Sequence, residues 1–167
     1  MSTRKIVMTA VMTAIITLST IVIQIPSPMS GYVNLGDMFV LLACFLLGPI
    51  YGTVAAGIGS MFADLLTGYV VYAPATLIIK GCMALVGAIL FKALKKCFKN
   101  KVFPVLISGV VCELIMVLGY FLYASLLMGE GWVAAASIPG NLVQGAVGIA
   151  VSTALYPALI KVKFLAE

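Results

Sequence analysis

NLGDMFVLLACFLLGPIYGTVAAGIGSMFADLLTGY, residues 34 to 69, decides how this chain is threaded. Asp37 and Asp64 stand near the two ends of a long apolar run, and Gly48-Pro49 interrupts it near the middle. Proline lacks the N–H that a helix interior needs and clashes with the turn before it, so the pair either kinks one helix or separates two. In the first case the aspartates lie at opposite ends of one rod. In the second the chain turns back and both reach the same side.

Composition sets the environment in which that choice is made. Of 167 residues 63% are hydrophobic and 9% charged, with a mean hydropathy of +1.23, values foreign to a water-soluble domain. Several apolar runs reach the roughly 17 to 25 residues that a helix needs to cross a bilayer. Hydropathy and breakers predict spans at about 5–24, 35–47, 50–66, 73–92, 103–128 and 135–161, within one membrane domain over 1–167.

Charge chooses between the two readings of Gly48-Pro49. Arg4 and Lys5 precede the first span, Lys92, Lys95, Lys96, Lys99 and Lys101 surround the 92–101 connection, and Lys161 and Lys163 follow the last span. Basic residues favour the cytoplasmic side. Both ends and the 92–101 loop therefore belong there, which requires an even number of crossings before Lys92 and again after Lys101. Six spans meet that condition and five do not. Loops 25–34, 67–72 and 129–134 contain no Lys or Arg and are expected outside. The expected fold is an all-α integral membrane protein, a six-transmembrane-helix bundle with N and C termini cytoplasmic. The net charge of +5 then reflects topology and attraction to the leaflet, not nucleic-acid binding.

The first apolar stretch follows Arg4 and Lys5, as a signal peptide would, but it is long, carries several threonines and has no small-residue cleavage site before Pro26. It is expected to remain as a helix. Cys44, Cys82, Cys97 and Cys112 show no CxxC spacing and read as packing residues, with neither metal nor disulfide expected.

Four ionisable residues fall inside the spans: Asp37, Asp64, Lys80 and Glu113. Each costs about 2.5 to 3.5 kcal/mol or more at a helix centre, so each needs a partner or water. Six-span threading brings Asp37, Asp64 and Lys80 together in the outer half, where they form a structural ion pair, a binding site or both. Asn34 reads as the N-cap of the second span, with Asp37 three positions on, as in a capping box that takes up free helix N–H groups. Asn141 and Gln144, in PGNLVQGAVG, share one helix face and suit either recognition of a polar heterocycle or a bond to another helix. Tyr32, Tyr69, Tyr72 and Trp132 suit either an interfacial aromatic belt or stacking on a planar ligand. The connection IPSPMSGYVN is too rich in Pro, Ser and Gly for an ordered helix, and its Ile25, Met29, Tyr32 and Val33 suit a cover over a site. Small residues stack along Ala10 and Ala14, along Gly52, Ala56 and Ser60, and along Gly81, Ala84 and Ala88. Such faces let helix backbones approach closely. The latter two are expected to pack internally.

Taken together, AVMTA near the start, GYVNLGDMFVLLACFLLGPIYGTVAAGIGSMFADLLTGY, YAPATLIIKG and PGNLVQG resemble the substrate-binding S components of energy-coupling factor (ECF) vitamin transporters, especially the riboflavin-transporter-like branch. The resemblance covers nearly the whole chain. It implies a six-helix bundle with a vitamin pocket near the outer face, covered by the loop after the first helix. Carried onto this sequence, substrate binding falls to Tyr32, Asn34, Asp37, Asp64, Tyr72, Lys80, Asn141 and Gln144. Ala10 and Ala14 become the face that docks a transmembrane coupling subunit. The chain has no GxxxxGK[ST] phosphate-binding loop. The resemblance supplies the motor as two partner ATPase subunits, leaves this chain without a bound cofactor, and places it in a prokaryotic plasma membrane.

Two other classes compete. A proton-coupled secondary carrier would use Asp64 or Glu113 as its protonated group. An intramembrane aspartyl protease needs two carboxylates sharing a proton, but Asn34 stands where GxGD needs its first glycine and neither aspartate follows a tyrosine. Hydrolysis through Ser or Cys lacks a base, since the chain has no histidine. For the vitamin, a carboxylate-bearing compound would want a strong cationic clamp. Lys80 is the one buried candidate and has aspartates nearby, which favours an uncharged or weakly basic heteroaromatic compound. Within the resembled branch this points to pyridoxine-type compounds or hydroxymethylpyrimidine, with riboflavin and alpha-ribazole open.

Overall fold

The structure, a computed structural model, describes residues 3–26 and 31–161. Helix α1 (Thr3–Val22) leads into an antiparallel ribbon of β1 (Gln24–Pro26) and β2 (Tyr32–Asn34), with Gln24 opposite Asn34. Then follow α2 (Gly36–Thr67), α3 (Ala73–Cys97), α4 (Val102–Leu122) and α5 (Ile138–Leu159). A π-helical turn, Tyr123–Leu127, extends α4, and a 3-10 segment, Gly131–Ser137, introduces α5. Among the described residues, five helical stretches are long and apolar enough to cross a membrane.

The expectation of six separate helices differs from these five elements only inside α2. Gly48 has φ 78° and ψ −171°, far from helical values. A Cβ added to Gly52 would lie 2.9 Å from the Ala43 carbonyl oxygen and 3.0 Å from the Cys44 Cα. Along an unbroken helix Ala43 and Gly52 would be about 13 Å apart. The chain therefore folds back at Gly48, and α2 consists of a first arm, 36–47, lying against a second arm, 49–67. Glycine supplies the positive φ of the bend, Pro49 opens the second arm where its missing N–H costs nothing, and Gly52 lets the two backbones touch.

The α2 arms form the centre of the bundle, packed by α1, α3 and α5, while α4 bridges α3 and α5. On α1 the threonines face inward: Thr17 donates to the Gly59 carbonyl at 2.8 Å, and a side chain at 59 would meet the Thr13 carbonyl. This is how apolar helices cohere in lipid, by close backbone approach and hydroxyl bonding. Cys44 and Cys112 are buried free thiols, while Cys82 and Cys97 are exposed and also free. The stripe Gly52, Ala56, Ser60 and the stripe Gly81, Ala84 are buried, as is Ala88. On the opposite face of α1, Ala10 and Ala14 are exposed beside Val7, Val11 and Leu18.

Two expectations change in detail. The 25–34 connection is an ordered ribbon at both ends, because Gln24 to Pro26 pair with Tyr32 to Asn34. Residues 27–30, including Met29, lie outside the described residues, as does Lys163. The fourth expected span ends at 92, but α3 continues to Cys97, since Lys92, Lys95 and Lys96 are good helix formers that leave the apolar layer without breaking the helix.

Candidate functional site

The bend in α2 brings Asp37 and Asp64 to one end of the bundle, although 27 residues of continuous helix would separate them by about 40 Å. They meet the start of α3, the end of α4 and the start of α5 around a cavity with about 650 Å³ of empty space, part of it open to the surroundings. From α3 come Tyr72, Thr76 and Lys80, one helical turn apart and so on one face. Tyr32 and Asn34 of β2 form one wall, Ser60 and Asp64 of α2 another, and Tyr120, Asn141 and Gln144 close the rest.

Behind the cavity lies a buried polar cluster. The Lys80 ammonium donates to the Asp37 carboxylate, forming an ion pair with both side chains almost wholly out of solvent. The other Asp37 oxygen accepts from the Gln144 amide, whose own oxygen accepts the Asn34 backbone N–H at 2.7 Å. Asn34 in turn accepts the Gly36 N–H at 2.7 Å, making the turn that starts the first arm. One chain of bonds thus runs from α3 through α2 and α5 to the ribbon. Glu113 of α4 is buried against Gly145 and Gly148, close to Asp37, with neither carboxyl oxygen hydrogen-bonded among the described residues.

Asp64 has a different environment. One of its oxygens accepts the Tyr32 hydroxyl, and the other is buried at the cavity wall near Thr76, with no hydrogen bond of ordinary geometry among the described residues. Burial, and after it the neighbouring Asp64 charge, push the Tyr32 hydroxyl far above its ordinary range, so it remains a donor. The Tyr32 ring packs on Tyr69 with centroids 4.6 Å apart. At the far wall the Tyr120 ring lies 5.6 Å from the Lys80 ammonium, and its hydroxyl shares a 3.0 Å hydrogen bond with Thr76.

Seven of the eight expected binding residues, Tyr32, Asn34, Asp64, Tyr72, Lys80, Asn141 and Gln144, line the cavity. Asp37 does not. It is fully buried one layer behind, and its oxygens are taken by Lys80 and Gln144, not by the helix N–H groups that a capping role requires. Asn34 alone makes the turn at that helix start. Trp132 is 86% exposed and stands outside the cavity, against Phe121. Thr20, Ser60, Thr76 and Tyr120 line it without having been singled out for it. Their signal was spacing: Thr76 is one turn from Lys80, and Ser60 one turn from Asp64. Tyr120, in an apolar run, carried none.

The family model for the S component of ECF-type riboflavin transporters matches residues 1–161. A protein of Pyrococcus woesei, described as an uncharacterized protein in gap 3' region, is 35% identical over 141 residues, which cover 84% of this chain and 90% of that protein. Among solved structures, the S component of a bacterial ECF transporter superposes with a TM-score of 0.69 at 20% identity, over 94% of this chain and 95% of that one. The S component for biotin from an ECF-type ABC transporter gives 0.57, also at 20% identity and with the same coverage. These two likenesses concern the fold, while the sequence match over nearly the whole length concerns descent: the chain belongs to the family of S components of ECF-type riboflavin transporters.

Proposed function

We propose that this chain is the vitamin-binding subunit of an ECF importer, that its cargo is a small heteroaromatic vitamin or precursor, and that the cavity at the pocket end is where the cargo sits. The observation that carries this reading is the charge state of the cavity. Its lysine is already neutralised by Asp37, while Asp64 lines the wall and has one carboxylate oxygen without a hydrogen-bond partner among the described residues. Such a wall accepts a hydrogen bond from a ring N–H, an amino group or a hydroxymethyl group and offers no spare cation to a carboxylate. Pyridoxine-type compounds and hydroxymethylpyrimidine fit that demand, with riboflavin and alpha-ribazole as the competitors to test against them. Asp37 acts from behind by holding Lys80 and Gln144 in place. Asp37 and Asp64 have separate partners, an arrangement suited to binding and not to a proton-sharing pair.

In this reading the two arms of α2 are two crossings, so the bundle has six, with both termini and the lysine-rich 92–101 loop at the cytoplasmic face of a prokaryotic plasma membrane. The exposed Ala10 and Ala14 form the face that meets the coupling subunit, and two ATPase subunits provide the energy. The test is a double substitution, Ala10→Leu with Ala14→Leu. It should leave vitamin affinity unchanged, abolish copurification with the coupling and ATPase subunits and stop ATP-dependent uptake, because bulk there blocks close approach in lipid. Wild-type transport by the double variant would sink the docking assignment. Uptake by this chain alone in liposomes, driven by a proton gradient, would replace the whole reading with a secondary carrier.

A further inference from the structure

At the end of the bundle opposite the vitamin cavity lies a second, larger cleft, with about 1580 Å³ of empty space open to the surroundings. It is built where the start of α1, the bend of α2 and the last turns of α3 meet. Its walls carry Arg4, Lys5, Lys92, Lys95 and Lys96, and among the described residues no carboxylate lines it. Its floor is apolar, formed by Phe45, Leu46, Leu47 and Phe91. Two of the cations are held over aromatic faces: the Lys5 ammonium lies 5.9 Å from the Tyr51 ring centroid and that of Lys95 5.6 Å from Phe91. Aromatic seating of this kind keeps an ammonium in place without neutralising it. Lys99 and Lys101, equally basic and close in sequence, do not line the cleft.

A cluster of basic residues at a helix end follows from topology alone, but a shared cleft with a greasy floor does not. The combination matches one molecule with an anionic head and apolar tails. We propose that this cleft seats the headgroup of an anionic phospholipid, with the cations on its phosphate and the acyl chains running over Phe45 and Phe91. The membrane supplies such a ligand at the depth where these helices end, and juxtamembrane basic groups attract it. Bound there, the lipid ties α1 to α3 across the α2 bend. It does so far from the vitamin cavity, so its loss leaves vitamin binding intact.

Full-length protein, delipidated in neutral detergent, is titrated with phosphatidylglycerol or phosphatidylcholine, and bound lipid is counted by native mass spectrometry. Wild type should prefer phosphatidylglycerol by about tenfold or more. Lys92→Gln, Lys95→Gln and Lys96→Gln together should erase that preference, while Lys99→Gln with Lys101→Gln keeps it. Retained vitamin binding certifies the fold of each variant, and the milder pair Lys5→Gln with Lys95→Gln serves if the triple variant does not fold. The proposal is overturned if wild type shows no preference, or if the loop pair loses it as fully as the cleft variants. It is equally overturned if inorganic phosphate occupies the cleft as well as the lipid does. Finally, it fails if the cleft variants keep their lipid but lose the coupling subunit, which would make the occupant a protein segment.

Discussion

Replacing Lys80 with Met is the sharpest perturbation available, because it separates the structural and binding roles of one side chain. Lys80 is 2% exposed and Asp37 0%, and their ion pair has no solvent to fall back on. Removing the ammonium leaves the Asp37 carboxylate with one donor, the Gln144 amide, and with Glu113 nearby. A buried charge stripped of its partner costs about 3 to 5 kcal/mol, whereas removing both charges of a buried pair is close to neutral. Lys80→Met alone should therefore be destabilised by about that amount. Adding Asp37→Asn should restore most of it, since the asparagine oxygen still accepts from Gln144. Reversible unfolding in mixed micelles of dodecylmaltoside and SDS gives the stability, and titration with the cargo gives the affinity. If Lys80 also contacts vitamin, both variants bind about 1 to 3 kcal/mol more weakly despite the recovered stability of the double. A single variant as stable as wild type, or a double no better than the single, would refute the claim that an uncompensated charge governs this core. Recovered stability with unchanged affinity would confine Lys80 to structure.

Three further perturbations test the elements around that cluster. Gln144→Ala cuts the link between β2 and Asp37, so vitamin should leave faster by roughly 10-fold, in line with one orphaned buried group at about 1 to 3 kcal/mol, as stopped-flow displacement would record; an unchanged off-rate would detach the ribbon from the cavity. Tyr32→Phe keeps the ring on Tyr69 but removes the donor to Asp64. Since the folded hydroxyl titrates above its unfolded value of 10.0, its contribution is complete below that pH and is lost only as pH rises beyond it, so wild-type affinity should be flat from neutral to mildly alkaline pH while the variant is uniformly weaker; a wild-type loss of binding between pH 7 and 9 would contradict this. Gly52→Leu would force a side chain into the Ala43 and Cys44 backbone, and a cost of about 1 to 3 kcal/mol is expected in the same micellar unfolding assay; no cost would mean that the arms of α2 are not in contact.

Much of the site was legible because membrane helices make ionisable residues expensive, so the few that occur announce themselves. Asp64 and Lys80 were found by that reasoning, Asn141 and Gln144 as a polar pair sharing one helix face, and all four line the cavity. Asp37 was found by the same reasoning, and a pairing of Lys80 with an aspartate was among its readings, but the helix-capping role also given to it is not the one it takes. The local pattern Asn34 to Asp37 resembles a capping box, and only the three-dimensional approach of Lys80 and Gln144 shows that their stronger donors take its oxygens. Local sequence is blind to partners 43 and 107 residues away. Tyr120 was missed because an aromatic residue within an apolar helix has a sufficient explanation in packing alone. The β-ribbon was missed since Pro26 and Ser27-Pro28 argue against strand, and the pairing Gln24 to Pro26 with Tyr32 to Asn34 uses three residues on each side, too few to show a period.

The placement of charge along the bundle has a consequence for how the family's task is divided within this chain. At the pocket end the four described carboxyl-bearing or cationic residues of the core, Asp37, Asp64, Lys80 and Glu113, are buried, and the cations and anions there neighbour one another. At the opposite end the cleft carries five cations and no acid among the described residues. Among the described residues, basic charge is thus not spread evenly but gathered at the end away from the cavity. At that end Phe45 and Phe91 of the cleft are in ring contact with each other and with Tyr156. Both α2 and α3 carry residues at each end. The bend at Gly48 lies at the basic end of the element that carries Asp37 and Asp64.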